Sequence, residues 1–329
     1  MRNLIVILCL GIFLLSSCHL RKQGQDSVNQ ISLRPDNLEP QKVIRLSNAV
    51  LNVVFVDNTA FGEEHRAGYN GIAELTHASQ DSSVFVTNYA GFNLEHIFGG
   101  DSLAELFEPR KHPMELYKVS DNKVLLYQSP TPLSGVESLT VFRLSDSNYI
   151  DITFRFRIHD RKFFNHGYAG LFWASYIDAP PDRKIYFHGY ERGSESPGWI
   201  SAYSTAHGSK STHVGRNDTD SLYFAPNINP HMLFHDLSDY IYDQPFYYGR
   251  FHNMALAFMF QPDAGIRFSQ SPSSGLDEDI YPAWDFQFIV PDFEVGRVYS
   301  FKARLTYKEF AGANDLLGEF EAWKKARRD

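Results

Sequence analysis

The chain is poor in cysteine: among its 329 residues only Cys9 and Cys18 occur. Both lie near the start, so a disulfide framework across the rest of the chain is excluded. A concentrated block of lysine and arginine is also missing, and 31 basic against 39 acidic residues leave a formal charge of −8. Nucleic-acid surfaces and polybasic membrane patches need dense positive charge, so neither is expected. There is no GxGxxG after a strand, no GxxxxGK(S/T), no HExxH, no GxSxG and no CxxC. Nucleotide, nicotinamide and zinc-protease chemistry lose their usual support, and no metal site is expected.

Aromatic residues are abundant, with 27 Phe, 18 Tyr and 4 Trp. With 43% hydrophobic and 21% charged residues, the balance is that of a globular protein with a real core. The start reads differently. Arg2 precedes an apolar run over residues 4–15, shorter than the roughly 20 residues a bilayer span needs, so it reads as a signal segment. Leu15-Ser16-Ser17-Cys18 resembles the bacterial lipobox. That implies cleavage before Cys18, lipid on its sulfur and anchorage at the outer membrane, on its periplasmic or its outer face. Residues 18–41 are polar, with Pro35 and Pro40, the composition of a flexible tether. Residues 42–329 are expected to form one domain.

In that domain the hydrophobic period is two. Over residues 149–158, Ile150, Ile152, Phe154, Phe156 and Ile158 alternate with Asp151, Thr153, Arg155 and Arg157, which predicts a strand with one face on a core. The two arginines then belong to a solvated face or a cation-lined groove. Runs at 50–56, 138–144, 284–290 and 298–307 behave alike, with turn chemistry such as Asp121-Asn122 and Pro180-Pro181 between runs. Helix signals are confined to a short stretch at 101–107 and a tail at 314–327. In the tail, Asn314 or Asp315 would cap a stripe of Leu316, Leu317, Phe320 and Trp323. The expected fold is all-β: a large antiparallel β-sandwich, or supersandwich, with a short C-terminal helix.

Candidate chemistry sits in polar-aromatic clusters at strand ends. These are Tyr69-Asn70 with Glu74, Asn93-Leu94-Glu95-His96, Trp173 through Tyr176, His188, and Tyr248 through His252 with Arg267 on the next strand. Trp199 lies in a Gly/Ser-rich stretch suited to walling a cleft. Trp173 alternates with bulky apolar neighbours, the pattern of core packing, and is also carried as a stacking platform. Sugars present apolar C–H faces to Tyr and Trp, and hydroxyls to Asn, His, Arg and Glu. On a uronic acid, Arg or Asn facing the carboxylate acidifies the neighbouring C–H. A Tyr or His can then remove that proton while another protonates the leaving oxygen. This is a β-elimination without a cofactor.

The segments YNGIAELTH (69–77), YAGFNLEHIFGG (89–100), YAGLFWASYIDAPPDRKIYFHG (168–189), YYGRFHNMALAFMFQPDAGIRFSQSPS (247–273) and PAWDFQFIVPDFEVGRVY (282–299) resemble a group of exported bacterial proteins. That group is similar in pattern to the galactose-mutarotase-like β-supersandwich. The resemblance implies a carbohydrate-active lipoprotein of a polysaccharide-degrading system, such as those for sulfated algal glycans, with other degradation enzymes as potential partners. It implies a carbon–oxygen lyase acting on acidic, uronate-containing oligosaccharides or polysaccharides, either a dehydratase or a chain-cleaving lyase. In that reading Tyr176 or His188 is the base, Arg250 and Asn70 face the carboxylate, and His96 or Tyr248 is the acid. His252, Arg267, Trp199 and Trp173 are further substrate contacts. The alternatives are an aldose epimerase or mutarotase using a pair such as His96 with Glu74, and a non-catalytic glycan-binding lipoprotein. The leading reading requires these side chains to share one trough.

Overall fold

The alternation over residues 149–158 becomes a strand in which Ile150, Ile152, Phe154, Phe156 and Ile158 are all at most 1% exposed. The computed structural model describes residues 32–101, 106–145, 147–218, 222–229, 232–262, 264–272 and 280–327. The signal segment, Cys18 and the first part of the expected tether lie outside the described residues, as does most of the stretch 101–107.

In chain order the strands begin with β1 (Pro40–Gln41), β2 (Val43–Ser47), β3 (Leu51–Val56), β4 (Gly71–His77), β5 (Asn93–Phe98) and β6 (Met114–Ser120). Next come β7 (Lys123–Gln128), β8 (Val136–Leu144), β9 (Tyr149–Ile158), β10 (Tyr168–Ala174), β11 (Ile185–Glu191), β12 (Gly198–Ala202) and β13 (Thr212–Gly215). The last are β14 (Leu237–Tyr242), β15 (Phe246–Phe251), β16 (Met254–Phe260), β17 (Ile266–Ser271), β18 (Ala283–Pro291) and β19 (Val298–Glu309). Two helices are α1 (Glu108–Lys111) and α2 (Ala313–Lys325).

Strands β2, β3 and β4 make a three-stranded sheet. The other sixteen make one sheet in the order β1-β6-β7-β8-β9-β19-β16-β15-β11-β14-β13-β17-β18-β10-β5, with β12 beside β11. Neighbours pair antiparallel except β13 with β14, which run parallel. The connection between those two strands is long enough for a parallel crossover, which a tight turn cannot supply.

Ring contacts show that the large sheet folds back over itself. Trp173 on β10 lies 4.7 Å from Phe154 on β9 and 5.4 Å from Phe301 on β19, strands far from it in the sheet order. Phe142 on β8 meets Phe55 of the small sheet at 5.1 Å. One continuous apolar core therefore joins both sheets. Trp173 is 0% exposed inside it and stacked on Phe286 at 4.9 Å, so it packs the core and does not contact substrate.

Three other expectations change. Arg157 is buried, not solvated: it donates to Glu137 at 2.7 and 3.1 Å, and Glu137 also accepts from Tyr127 at 3.0 Å. Residues 32–41 are not free tether, because Leu33 is 4% exposed against Tyr117, Tyr127 and Leu139, and β1 pairs with β6. Helix α2 starts after Gly312, whose φ of 118° suits glycine, and no side chain caps it. Its Leu316, Phe320 and Trp323 are buried as the stripe predicted, and they cover the outward side of β15 and β16 at Phe246, Tyr248 and Met259.

Trp173→Ala is expected to cost about 3–5 kcal/mol by chemical denaturation, the loss for emptying a large aromatic site in a packed core. A cost below about 1 kcal/mol would show that the indole does not carry the core.

Candidate active site

The register of β5 against β10 contains the local feature that builds the site. Phe172 pairs with His96 and Trp173 pairs with Leu94, which leaves Glu95 as an extra residue between them. Such a bulge breaks the alternation, so two successive side chains can leave the same side of a strand. Leu94 and Ile97 enter the main core, whereas Glu95 and His96 both face the outward side, where Tyr176 emerges just beyond β10.

Glu95 is the hub. Its Oε2 accepts the Tyr176 hydroxyl at 2.7 Å and the Asn93 amide at 3.0 Å, and Arg110 Nη1 lies 3.6 Å from it. His96 Nε2 lies 3.2 Å from Oε1. A carboxylate can only accept, so the imidazole proton sits on Nε2. Nδ1 of His96 is buried and finds no hydrogen-bond partner among the described residues. Burial on its own would push the Glu95 carboxyl above its ordinary value, but hydrogen bonds from His96 and Tyr176, together with the Arg110 charge, outweigh it and hold the carboxyl below that value. Burial, reinforced by the Glu95 charge, pushes the Tyr176 phenol well above its ordinary value. At neutral pH the pair is therefore a carboxylate and an intact phenol.

Aromatic rings surround the cluster. Tyr69, Tyr89 and Tyr176 lie with centroids 5.1–5.8 Å apart. The Arg110 guanidinium lies 3.6 Å over Tyr69 and 4.6 Å from Phe107, whose ring covers His96 at 4.5 Å. Arg110 Nε also has no partner among the described residues, so the guanidinium retains donor capacity. It is carried by the short helix α1, which follows Phe107 in a left-handed conformation at φ 61°.

A second carboxyl lies on the neighbouring strand. Asp285 on β18 is 0% exposed, and its Oδ1 accepts the Ser175 amide at 3.0 Å. No cation pairs with it among the described residues. Burial first, with the Glu95 charge adding to it, pushes this carboxyl well above the usual range. The two carboxyls are thus shifted in opposite directions, Glu95 below and Asp285 above the ordinary value, a divergence typical of acid–base sites.

The other residues singled out from the sequence do not join this cluster. Asn70 is 0% exposed and its amide is consumed by Asn93 and Leu94. It ties the Tyr69 loop to β5 and has nothing left for a substrate carboxylate. Gly71 beside it has φ 99°, and a Cβ there would sit 2.7 Å from the carbonyl oxygens of Gly91 and Phe92. Glu74 belongs to the small sheet opposite Val54; the acidic partner of His96 is Glu95.

His188, Tyr248 and Trp199 gather at a separate place beside α2, with Arg250 further along β15 over Phe310. His188 Nδ1 lies 2.8 Å from Asp243, and Trp199 meets His188 at 5.5 Å and Tyr248 at 6.0 Å. Tyr248 is 4% exposed beneath the helix-backed cluster, and burial pushes its phenol up to about 12. In the sheet order five strand spacings separate β11 from β10, roughly 24 Å along the sheet. One sugar ring cannot touch both groups, so the single trough is replaced by two sites. His252 lies in the β15–β16 turn at φ 54°. Arg267 grips Asp218 with two bonds of 2.7 Å beside a cavity of about 460 Å³.

Arg110, Tyr89 and Asp285 were not singled out from the sequence, and Glu95 was seen only as part of its segment. A Glu-His neighbour pair on a strand normally points two ways, and nothing local in the sequence marks the bulge. Among the described residues no group of three or more His, Cys, Asp or Glu side chains is arranged to hold a metal ion.

No family model and no curated protein matches the chain. In fold it is similar to the crystal structure of a candidate aldose 1-epimerase from Escherichia coli K12, with 9% identity and a TM-score of 0.47 over 82% of this chain and 99% of that one. It is also similar to heparan sulfate lyase HepC from Pedobacter heparinus, with 12% identity and a TM-score of 0.39. That match covers 85% of this chain but 38% of HepC.

The two carboxyls predict opposite pH responses. The lowered Glu95 contributes stability above the ordinary carboxylate range and loses it as pH falls through its folded value. Glu95→Gln should therefore destabilise at neutral pH, with the gap in Tm closing on acidification below about pH 4. The raised Asp285 works the other way, since its neutral form favours folding at low pH and that contribution is lost as pH rises. Asp285→Asn should gain on the wild type as pH climbs from about 4 to about 8. Parallel melting curves of wild type and variants from about pH 2 to about pH 8 would contradict both assignments.

Proposed function

We propose that the protein is a carbohydrate-active carbon–oxygen lyase that carries out β-elimination on uronate-containing oligosaccharides, as a dehydratase or a chain-cleaving enzyme. The observation that carries this reading is the Glu95 carboxylate bridging His96 and Tyr176, with Nδ1 of His96 left unpaired.

The proton path uses contacts already present. Arg110 faces the uronate carboxylate and stabilises the negative charge that grows on it. His96 Nδ1 takes the proton from the carbon next to that carboxylate, and the electron pair released forms a carbon–carbon double bond. The carbon–oxygen bond one carbon further on breaks, and Tyr176 gives its phenol proton to the departing oxygen. The imidazolium passes its Nε2 proton to Glu95, which returns a proton to the Tyr176 phenolate. His96 is left protonated on Nδ1 and resets by exchange with water. Protons balance, and every transfer within the protein follows an observed contact of 3.2 or 2.7 Å. His96 thus becomes the base and Tyr176 the acid, the reverse of the expectation from the sequence. The Tyr69 and Tyr89 rings offer apolar faces to the sugar.

The test incubates the full chain with a panel of uronate-containing oligosaccharides and follows the ultraviolet absorbance of an unsaturated ring, with mass spectrometry. Loss of one water without shortening identifies a dehydratase, and shorter chains identify a cleaving lyase. His96→Ala and Tyr176→Phe are expected to lower the rate by about 10²–10⁴-fold, the usual contribution of a positioned base or acid. Arg110→Gln is expected to act mainly on uronate-bearing substrates. No new absorbance across the panel would overturn the proposal. Anomer interconversion without mass change would instead assign the His96–Glu95 pair to epimerase chemistry.

A further inference from the structure

The cluster beside α2 takes no part in the elimination, yet it has the make-up of a ligand site. Of the four tryptophans, Trp173 and Trp284 are 0% exposed and Trp323 is 3%, whereas Trp199 is 36% exposed. Its indole is not loose. Nε1 donates to Asn314 at 3.3 Å, and the rings of His188, Phe246 and Tyr248 brace it edge-on at 5.5–6.1 Å. An indole fixed at its edges and open on a flank is suited to stacking on the C–H face of a sugar ring.

Polar groups with unspent capacity lie beside it and further along the same outward face of β15. Asp243 holds His188 by Nδ1 at 2.8–2.9 Å, which leaves Nε2 as the outer nitrogen of a ring 24% exposed. The Arg250 guanidinium lies 3.9 Å over Phe310, and its Nε is buried with no partner among the described residues. Strand alternation sets this composition. Tyr186 and His188 on β11, like Tyr248 and Arg250 on β15, stand opposite Ile185, Phe187 and Tyr247, which enter the main core.

We propose that Trp199, His188 and Arg250 form a second carbohydrate site, distinct from the Glu95 cluster, that binds a pyranose unit of a polysaccharide chain without turning it over. Trp199 stacks on the ring face, and His188 Nε2 and Arg250 engage hydroxyl or acidic substituents. At roughly 24 Å along the sheet from β10, the site holds a long chain near the catalytic cluster and raises its local concentration there. Short oligosaccharides gain nothing from it.

The experiment is native electrophoresis of the full chain through gels containing polygalacturonate, alginate, heparan sulfate or xylan. Wild type, Trp199→Ala, Arg250→Gln and Glu95→Gln are run together, and circular dichroism checks that each variant is folded. The expected result is retardation of wild type and Glu95→Gln by at least one polymer. The apparent affinity should fall by about tenfold or more in Trp199→Ala, and by a smaller factor in Arg250→Gln. Turnover of short oligosaccharides by Trp199→Ala should match wild type. Retardation that survives in Trp199→Ala, disappears with Glu95→Gln, or is absent in every gel overturns the second site. The readout is independent of the elimination reading: retardation without any unsaturated product would remove the lyase and leave this site standing.

Discussion

The arrangement depends on one buried charge. A carboxylate removed from water is strongly disfavoured unless several donors replace its hydration, and Glu95 has four around it. The constraint acts in both directions. His96, Tyr176, Asn93 and Arg110 keep Glu95 ionised, and Glu95 fixes the imidazole tautomer, the phenol direction and the guanidinium position. One inserted residue in β5 makes this possible. Without the bulge, Glu95 and His96 would leave opposite faces of the strand, and one of them would enter the apolar core beside Leu94 and Ile97.

The large sheet then decides which groups can cooperate. Because it curls over one main core, its strands spend one face on packing there, and chemistry is left to the parts of the other face that α2 and the outer aromatic cluster do not cover. Near β5, β10 and β18 that free face carries carboxyls, an imidazole and phenols. Near β11 and β15 it carries an exposed indole, an imidazole and a guanidinium, backed by α2. The strands between keep the two places apart. The proposed division of labour between reaction and chain capture fits this spacing better than one extended trough.

Much of the fold was legible in the chain. The alternation at 149–158 identified the core side of β9, and the stripe Leu316, Phe320 and Trp323 identified the buried side of α2. Alternation tells which way a side chain points but not what it meets, so Trp173 against Phe154 and Phe301 required the curl of the sheet. The site was legible in part. His96 and Tyr176 stood out as polar groups at strand ends. Arg110, however, sits on one short turn of helix with no periodicity to mark it, and the bulge that turns Glu95 outward has no local sequence signature. Grouping His188, Tyr248 and Arg250 with His96 failed because strand order, which depends on long-range pairing, places five strands between His188 and His96 and six between β15 and His96.

The most direct measurement is the ¹⁵N chemical shift of the two His96 ring nitrogens at neutral pH, assigned by comparison with His96→Ala. The account predicts a protonated Nε2 that reports its bond to Glu95, together with an Nδ1 that carries no proton. A protonated Nδ1 with a bare Nε2, or a ring whose two nitrogens exchange freely, would mean that Glu95 does not hold the imidazole as a base.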